Sequence, residues 1–171
     1  MSTCQPERYP ALVQWMEENQ AAIYRFAYSY VKNRDTALDM VQESIYKAIK
    51  NYETLKNADS IRPWFYRIVV NTCLDELRRG SRVTVTAPED LPEEGEDSLA
   101  TRADILVLRQ ALDRLDGKTK TVIVLRYFED RKLSEIAEIL EENVNSVKSR
   151  LYRGLRALQV EMGQEVWKNA E

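Results

Sequence analysis

Residues 133–158 read LSEIAEILEENVNSVKSRLYRGLRAL, and this stretch decides the fold of the second half of the chain. Apolar residues recur every three or four positions on both sides of a polar break at 141–143, which predicts two helices, the second starting near Asn145. Ala137 lies ten positions before Val147. A small residue at this place lets two helices approach closely at a steep angle. The stretch therefore predicts a helix-turn-helix.

The second of these helices has two chemically different sides. Its apolar stripe consists of Val144, Val147, Leu151, Leu155 and Leu158. Opposite and beside that stripe lie polar and basic residues, namely Asn145, Ser146, Lys148, Ser149, Arg150, Tyr152, Arg153 and Arg156. Amide, hydroxyl and cationic groups without an acidic residue are typical of a helix that enters the major groove, so we predict that these eight residues contact DNA. The alternative is a solvated face on the last helix of a bundle.

The composition excludes several classes of enzyme and of metal site. The 171 residues include no histidine, so the chain alone can build no Ser-His-Asp or Cys-His nucleophile and no histidine-containing zinc site. We find no glycine-rich phosphate loop and no clustered metal ligands, and we expect no cofactor. Cys4 and Cys73 form no CxxC pair, which favours a reducing compartment. Without a long apolar run or a leader sequence, we expect a cytoplasmic protein that is not itself a membrane protein.

The net charge of −3 is distributed unevenly along the chain. Residues 81–100 contain six carboxylates, one arginine, two prolines and a glycine, and they show no hydrophobic period. The segments 11–80 and 101–171 each sum to +1. This pattern predicts an acidic flexible linker at residues 81–101.

We expect an all-α fold of two small helical domains, because both halves are poor in glycine and proline and follow the helical period. The predicted domains are residues 1–80 and 102–171. The expected helices of the first domain are residues 12–30, a helix after Asp35, and an apolar central helix from about Ser60 to Arg79. Those of the second domain are residues 105–115, a helix through Val122 to about Phe128, and the helix-turn-helix.

An aromatic and polar stripe follows the predicted central helix of the first domain. Trp64, Arg67, Asn71, Asp75 and Arg78 recur at spacings of three and four. Aromatic rings with neighbouring amides and cations are typical of proteins that stack on unpaired bases. The alternative is structural, with Trp64 in the core and Asp75 paired with Arg78.

The helix before it presents Asp39, Gln42, Glu43 and Tyr46 opposite its apolar side, which includes Ile49. Two carboxylates one turn apart are compatible with acid–base chemistry or a metal site. No third ligand occurs at a suitable spacing, so a protein-docking surface or a solvated face is favoured.

Three segments together resemble extracytoplasmic-function (ECF) sigma factors, the small members of the bacterial sigma-70 family. Residues 39–52 (DMVQESIYKAIKNY) resemble region 2.2, residues 61–79 (IRPWFYRIVVNTCLDELRR) resemble regions 2.3 to 2.4, and residues 119–158 resemble regions 4.1 to 4.2. The three segments follow the family's order, around an acidic linker, and cover most of the chain. In this family the loop before the central helix, here residues 51–62, captures a base flipped from the minus-10 element.

The resemblance implies a non-enzymatic initiation factor that directs core RNA polymerase to promoters by recognising duplex minus-35 DNA and melted minus-10 DNA. Asp39, Gln42 and Glu43 would bind the clamp helices of the β′ subunit, and the β flap would be a second contact of the polymerase. The implied minus-10 contacts are Arg62, Trp64, Arg67, Asn71 and Arg78. The implied minus-35 contacts are Asn145, Ser146, Lys148, Ser149, Arg150, Tyr152, Arg153 and Arg156. An anti-sigma factor, which in this family is often anchored in the membrane, and a role in a stress response are also implied.

The chain departs from the family pattern at the turn of the helix-turn-helix. Glu141 occupies a position where glycine is common, and a left-handed backbone there would cost about 1 kcal/mol. Asn145 replaces another glycine and is a good helix cap. Two further hypotheses remain open at this point: a stand-alone helix-turn-helix regulator, and a helical enzyme that uses Asp39 and Glu43.

Overall fold

The computed structural model describes residues 7–79 and 102–162. Within these ranges the chain forms eight α-helices and no β-strand, so the predicted all-α class is confirmed. The predicted acidic linker lies outside the described residues. The described chain divides into two compact units: the first contains residues 7–79 and 138–140, and the second contains residues 102–137 and 141–162.

The first unit contains four helices and two short 3₁₀ turns. The helices are α1 (Arg8–Glu18), α2 (Gln20–Val31), α3 (Arg34–Lys50) and α4 (Ile61–Arg78), with the 3₁₀ turns Tyr52–Thr54 and Ala58–Ser60 between α3 and α4. Helices α2, α3 and α4 pack against one another. Helix α4 is central, as predicted, because Phe65, Val69, Val70 and Cys73 are almost fully buried.

The predicted single helix over residues 12–30 is wrong, because the chain breaks at Asn19. The backbone N–H of Asn19 and its side-chain amide both donate to the carbonyl oxygen of Trp15, at 3.1 and 2.8 Å. A short amide side chain competes in this way with the helical hydrogen bonds. The apolar period continues from Met16 to Ile23 across the break, which is why periodicity alone did not reveal it.

The other four helices belong to the second unit, apart from residues 138–140 at the end of α7. They are α5 (Arg102–Asp113), α6 (Gly117–Ile123), α7 (Leu133–Leu140) and α8 (Val144–Met162), with a widened π-helical turn, Val124–Phe128, after α6. Helix α8 packs against α5 and α6. Asp116 caps α6 by accepting a hydrogen bond from the backbone N–H of Thr119. The predicted helix through Val122 thus becomes π-helical from Val124 to its end at Phe128.

None of the helices in residues 7–79 and 102–162 combines the length and the apolar composition needed to span a bilayer.

Candidate nucleic-acid interface

Helices α7 and α8 are joined by the tight turn that the sequence predicts. Helix α7 ends at Leu140, and Glu141 adopts a left-handed backbone with φ of 54°. The backbone N–H of Glu142 donates to the carbonyl oxygen of Ala137 at 3.0 Å and closes the turn. The turn geometry is therefore formed without glycine, at a cost of about 1 kcal/mol for a residue with a Cβ.

The cap of α8 is Asn143 rather than Asn145. The side-chain oxygen of Asn143 accepts a hydrogen bond from the backbone N–H of Ser146 at 2.8 Å, which is the geometry of an N-cap. The interpretation of Asn145 as the cap is therefore wrong. Asn145 lies inside the first turn of α8 and is exposed, so its amide is available to a ligand.

The outer face of α8 is exposed and rich in hydrogen-bonding groups. Val147, Leu151 and Leu158 are buried as predicted, whereas Val144 lies 37% exposed at the edge of the apolar stripe. Exposed on the other side are Asn145, Lys148, Ser149, Tyr152, Arg153 and Arg156, and Ser146 is half-buried. The structure thus places six of the eight predicted contact residues on an exposed face, with Ser146 and Arg150 half-buried.

A groove opens at the start of this face. It has a volume of about 470 Å³ and is lined by Asn143, Asn145, Ser146, Ser149, Arg150 and Arg153. Its lining contains amides, hydroxyls and guanidinium groups but no carboxylate. Such a lining can donate hydrogen bonds to phosphate oxygens and to the acceptor edges of bases.

Arg150 differs from the other basic residues of α8. Its side chain is only 22% exposed, and its Nε and Nη2 atoms donate to the carboxylate of Glu142 at 3.0 and 3.1 Å. Its Nη1 atom lies 3.7 Å from Asp116, and Lys118 Nζ adds a hydrogen bond of 3.2 Å to Glu142. We call Asp116, Lys118, Glu142 and Arg150 the brace cluster.

The acids of the brace cluster are stabilised in their charged forms. The hydrogen bond from Arg150 lowers the pKa of Glu142, and with Lys118 it outweighs the opposing effect of burial. Burial alone would raise the pKa of Asp116, but hydrogen bonds from Thr119 and the charges of Arg150 and Arg153 lower it below its ordinary value. Both carboxylates therefore remain ionised at neutral pH and offset the charge of Arg150.

The predicted stripe on α4 is divided between packed and exposed residues. The indole Nε1 of half-buried Trp64 donates to Thr54 Oγ1 at 3.1 Å and so joins α4 to the first 3₁₀ turn. Arg62 and Asn71 are exposed. Arg67 is half-buried, and exposed Arg78 forms a 3.4 Å ion pair with Asp75.

The face of α3 is accessible, as predicted, but it is more apolar than the sequence indicated. Asp39 and Gln42 are exposed, and Glu43 pairs with Lys47 at 2.8 Å. Leu38, Tyr46 and Ile49 are exposed by 42, 63 and 39%. The helical period does not indicate Leu38 as exposed, and it places Ile49 on the buried side. A surface that mixes acids with exposed apolar side chains is suited to protein docking.

In residues 7–79 and 102–162 no three cysteine or acidic side chains are grouped so that they could hold a metal ion. The α3 face therefore provides no ligand set beyond Asp39 and Glu43.

Comparison with known proteins assigns the chain to a family. Residues 15–83 match the model of sigma-70 region 2, and residues 105–158 match that of sigma-70 region 4. RNA polymerase sigma factor SigV of Bacillus subtilis is 44% identical over 156 residues, which cover 90% of this chain and 92% of that protein. The chain belongs to the sigma-70 family of RNA polymerase sigma factors.

Other relatives agree with this assignment and place the chain in the ECF group. The ECF sigma factor SigW of Bacillus subtilis is 29% identical over 154 residues, which cover 82% of each chain. The sigma factor RpoE of Bartonella quintana, solved in complex with the anti-sigma factor NepR, has the same fold with a TM-score of 0.69. That likeness extends over 89% of this chain and 96% of RpoE at 20% identity.

Membership of the family selects among the hypotheses left open by the sequence. The protein is a promoter-recognition factor for transcription initiation, which acts with core RNA polymerase, and it is neither a stand-alone regulator nor an enzyme. The match to region 2 lies in the first unit, and the match to region 4 lies in the second unit apart from residues 138–140.

Proposed function

We propose that the second unit of this sigma factor recognises the duplex minus-35 element through α8 and that the first unit binds both polymerase and the melted minus-10 element. The observation that carries the proposal is the exposed, acid-free face of α8, which follows a closed helix-turn-helix turn. The face presents base-reading groups near its start and cations further along. This order suits a helix whose first turns enter the groove.

Within α8 we assign two kinds of contact. Asn145, Ser146 and Ser149 lie in the groove at the helix start, where amide and hydroxyl groups can pair with base edges. Lys148, Arg153 and Arg156 are exposed cations placed to bind phosphates. Tyr152, 60% exposed, supplies an apolar ring edge and a hydroxyl on the same face.

For the minus-10 element we propose the exposed residues of the α4 stripe. Arg62 and Asn71 are accessible to a single strand, and Arg78, 71% exposed, supplies a cation. The hydrogen bond of Trp64 to Thr54 supports a positioning role, because it holds the loop before α4. We also propose Arg67, which is half-buried on the same stripe, as a minus-10 contact.

For the polymerase we propose that Asp39, Gln42 and Glu43 bind the β′ clamp helices, with Leu38 and Tyr46 adding apolar contact. The second unit would contact the β flap. We further propose an anti-sigma partner, since the similar RpoE was solved with one. Function with core polymerase implies a cytoplasmic location.

The experiment is transcription in vitro with purified core polymerase, with and without this protein. Promoter-specific transcripts are expected only when the protein is added. Asp39→Ala combined with Gln42→Ala should weaken binding to core polymerase, whereas Arg153→Ala should leave that binding unchanged. The absence of specific transcripts on every genomic template would overturn the proposal.

A further inference from the structure

We infer that Arg150 is a positioning residue, which fixes the start of α8 for minus-35 recognition, and not one of the residues that contact DNA. The inference rests on the proposed recognition of minus-35 DNA by α8. It divides the basic residues of that helix into two functional classes, although they look equivalent in the sequence.

The contacts of Arg150 join three parts of the second unit. Glu142 belongs to the turn, between the left-handed Glu141 and the cap Asn143. Arg150 lies two turns further along α8 and holds Glu142 with two parallel hydrogen bonds. Lys118, from α6, binds the same carboxylate. The brace cluster therefore ties the turn to α8 and to the start of α6.

The geometry leaves Arg150 poorly placed for phosphate binding. Its Nε and Nη2 atoms each donate one hydrogen bond to Glu142, whose own side chain is only 16% exposed. Although Arg150 also lines the groove, Glu142 and Asp116 already offset its charge, which weakens its attraction to a phosphate. Arg153, three residues along, is exposed and faces Asp116 only through its charge.

The brace cluster determines where the base-reading groups of α8 lie. Asn145, Ser146 and Ser149 follow the turn that contains Glu142. Glu141 in the same turn has a left-handed backbone, which is unfavourable for a residue with a Cβ, so local backbone preference does not stabilise the turn. The bidentate ion pair between Arg150 and Glu142 stabilises the turn instead. Loss of Arg150 should therefore reduce discrimination between sequences rather than remove one phosphate contact.

The test uses holoenzyme reconstituted from core polymerase and full-length protein, bound to a promoter duplex recovered from the transcription experiment. Affinity is measured over a salt series for the matched promoter and for the same duplex with a scrambled minus-35 element. The variants are Arg150→Ala, Glu142→Gln, their double mutant and Arg153→Ala. Circular dichroism melts establish that each variant is folded at the assay temperature.

Arg153→Ala should reduce the slope of log affinity against log salt by about one, as expected for a lost phosphate contact. Arg150→Ala and Glu142→Gln should leave that slope unchanged and lower the ratio of matched to scrambled affinity roughly tenfold, which is the discrimination of about one base contact. The double mutant should be no worse than either single mutant, because both remove the same interaction.

If Arg150→Ala reduced the slope of log affinity against log salt by about one, and Glu142→Gln kept the wild-type ratio of matched to scrambled affinity, Arg150 would be a phosphate contact. That result would overturn this inference and leave the proposed minus-35 recognition standing. A merely stabilising role is also excluded by the design, because it would leave the ratio unchanged in folded Glu142→Gln. Wild-type holoenzyme that does not distinguish matched from scrambled DNA would instead overturn the proposed minus-35 recognition, and this inference with it.

Discussion

A Cβ atom on Gly154 would lie 2.5 Å from Cδ1 of Ile123 and 2.8 Å from Cγ2 of Thr119. Helix α8 can therefore approach α6 only because residue 154 has no side chain. This approach holds the helix that carries the proposed minus-35 contacts. It also explains why a poor helix former occupies the middle of α8.

Gly154→Val should therefore destabilise the second unit by roughly 2 kcal/mol, because overpacking a close helix contact costs about 1–3 kcal/mol. Ala157→Val is the matched control, since Ala157 is exposed on the same helix. The control should lose only the difference in helix propensity, about 0.5 kcal/mol. Urea unfolding measures both, and equal losses would contradict the close approach.

The assignment of the α8 cap predicts different outcomes for two asparagines. Asn143→Ala should cost about 1 kcal/mol of unfolding free energy, because it removes the acceptor for the N–H of Ser146. Asn145→Ala should leave stability within about 0.5 kcal/mol of wild type and weaken binding to the matched promoter. Thermal unfolding and promoter affinity together distinguish the two roles; the reverse pattern would restore Asn145 as the cap.

The left-handed Glu141 provides a third prediction. Glu141→Gly should be more stable than Glu141→Ala by about 1 kcal/mol, since both lose the side chain and only alanine retains the unfavourable Cβ. Glu138→Gly, at an exposed position within α7, should instead lose about 1 kcal/mol relative to Glu138→Ala. Chemical denaturation of the four variants measures both differences. A gain from glycine at both positions, or at neither, would contradict the turn geometry.

The lowered pKa of Glu142 predicts a dependence of stability on pH. A carboxylate whose pKa is lower in the folded state adds stability above its unfolded pKa, and that stability is lost as pH falls through the folded value. The difference in melting temperature between wild type and Glu142→Gln should therefore be largest near neutral pH and shrink below about pH 4.5. Glu138→Gln, at an exposed position, is the control and should show a smaller difference throughout. A difference between wild type and Glu142→Gln that does not change between pH 7 and pH 3 would exclude the charged pair as its source.

The sequence predicted those features that depend on local pattern. The helix-turn-helix followed from the period around Ala137 and Val147, and the place of its turn followed from the polar break at 141–143. These features could be inferred because period and turn position are encoded by neighbouring residues.

The features that were missed depend on contacts distant in sequence or on competing hydrogen bonds. Arg150 and Arg153 carry the same charge three residues apart, and only the folded positions of Glu142 and Asp116 separate them. The break at Asn19 was hidden because the apolar period continues across it. The exposure of Leu38 depends on which side of α3 packs against its neighbours. The apolar period gives the direction of that side only to within part of a helical turn.

In the proposed function, the two units recognise separate promoter elements. The most direct measurement is the ratio of transcripts that the holoenzyme makes from a matched promoter and from the same promoter with a scrambled minus-35 element. We expect Asn145→Ala combined with Ser149→Ala to bring this ratio close to one, because both side chains are assigned to base edges, and Asn71→Ala to preserve the ratio while lowering both yields. If the double substitution at Asn145 and Ser149 lowered both yields equally and kept the wild-type ratio, α8 would not be the element that recognises minus-35 DNA.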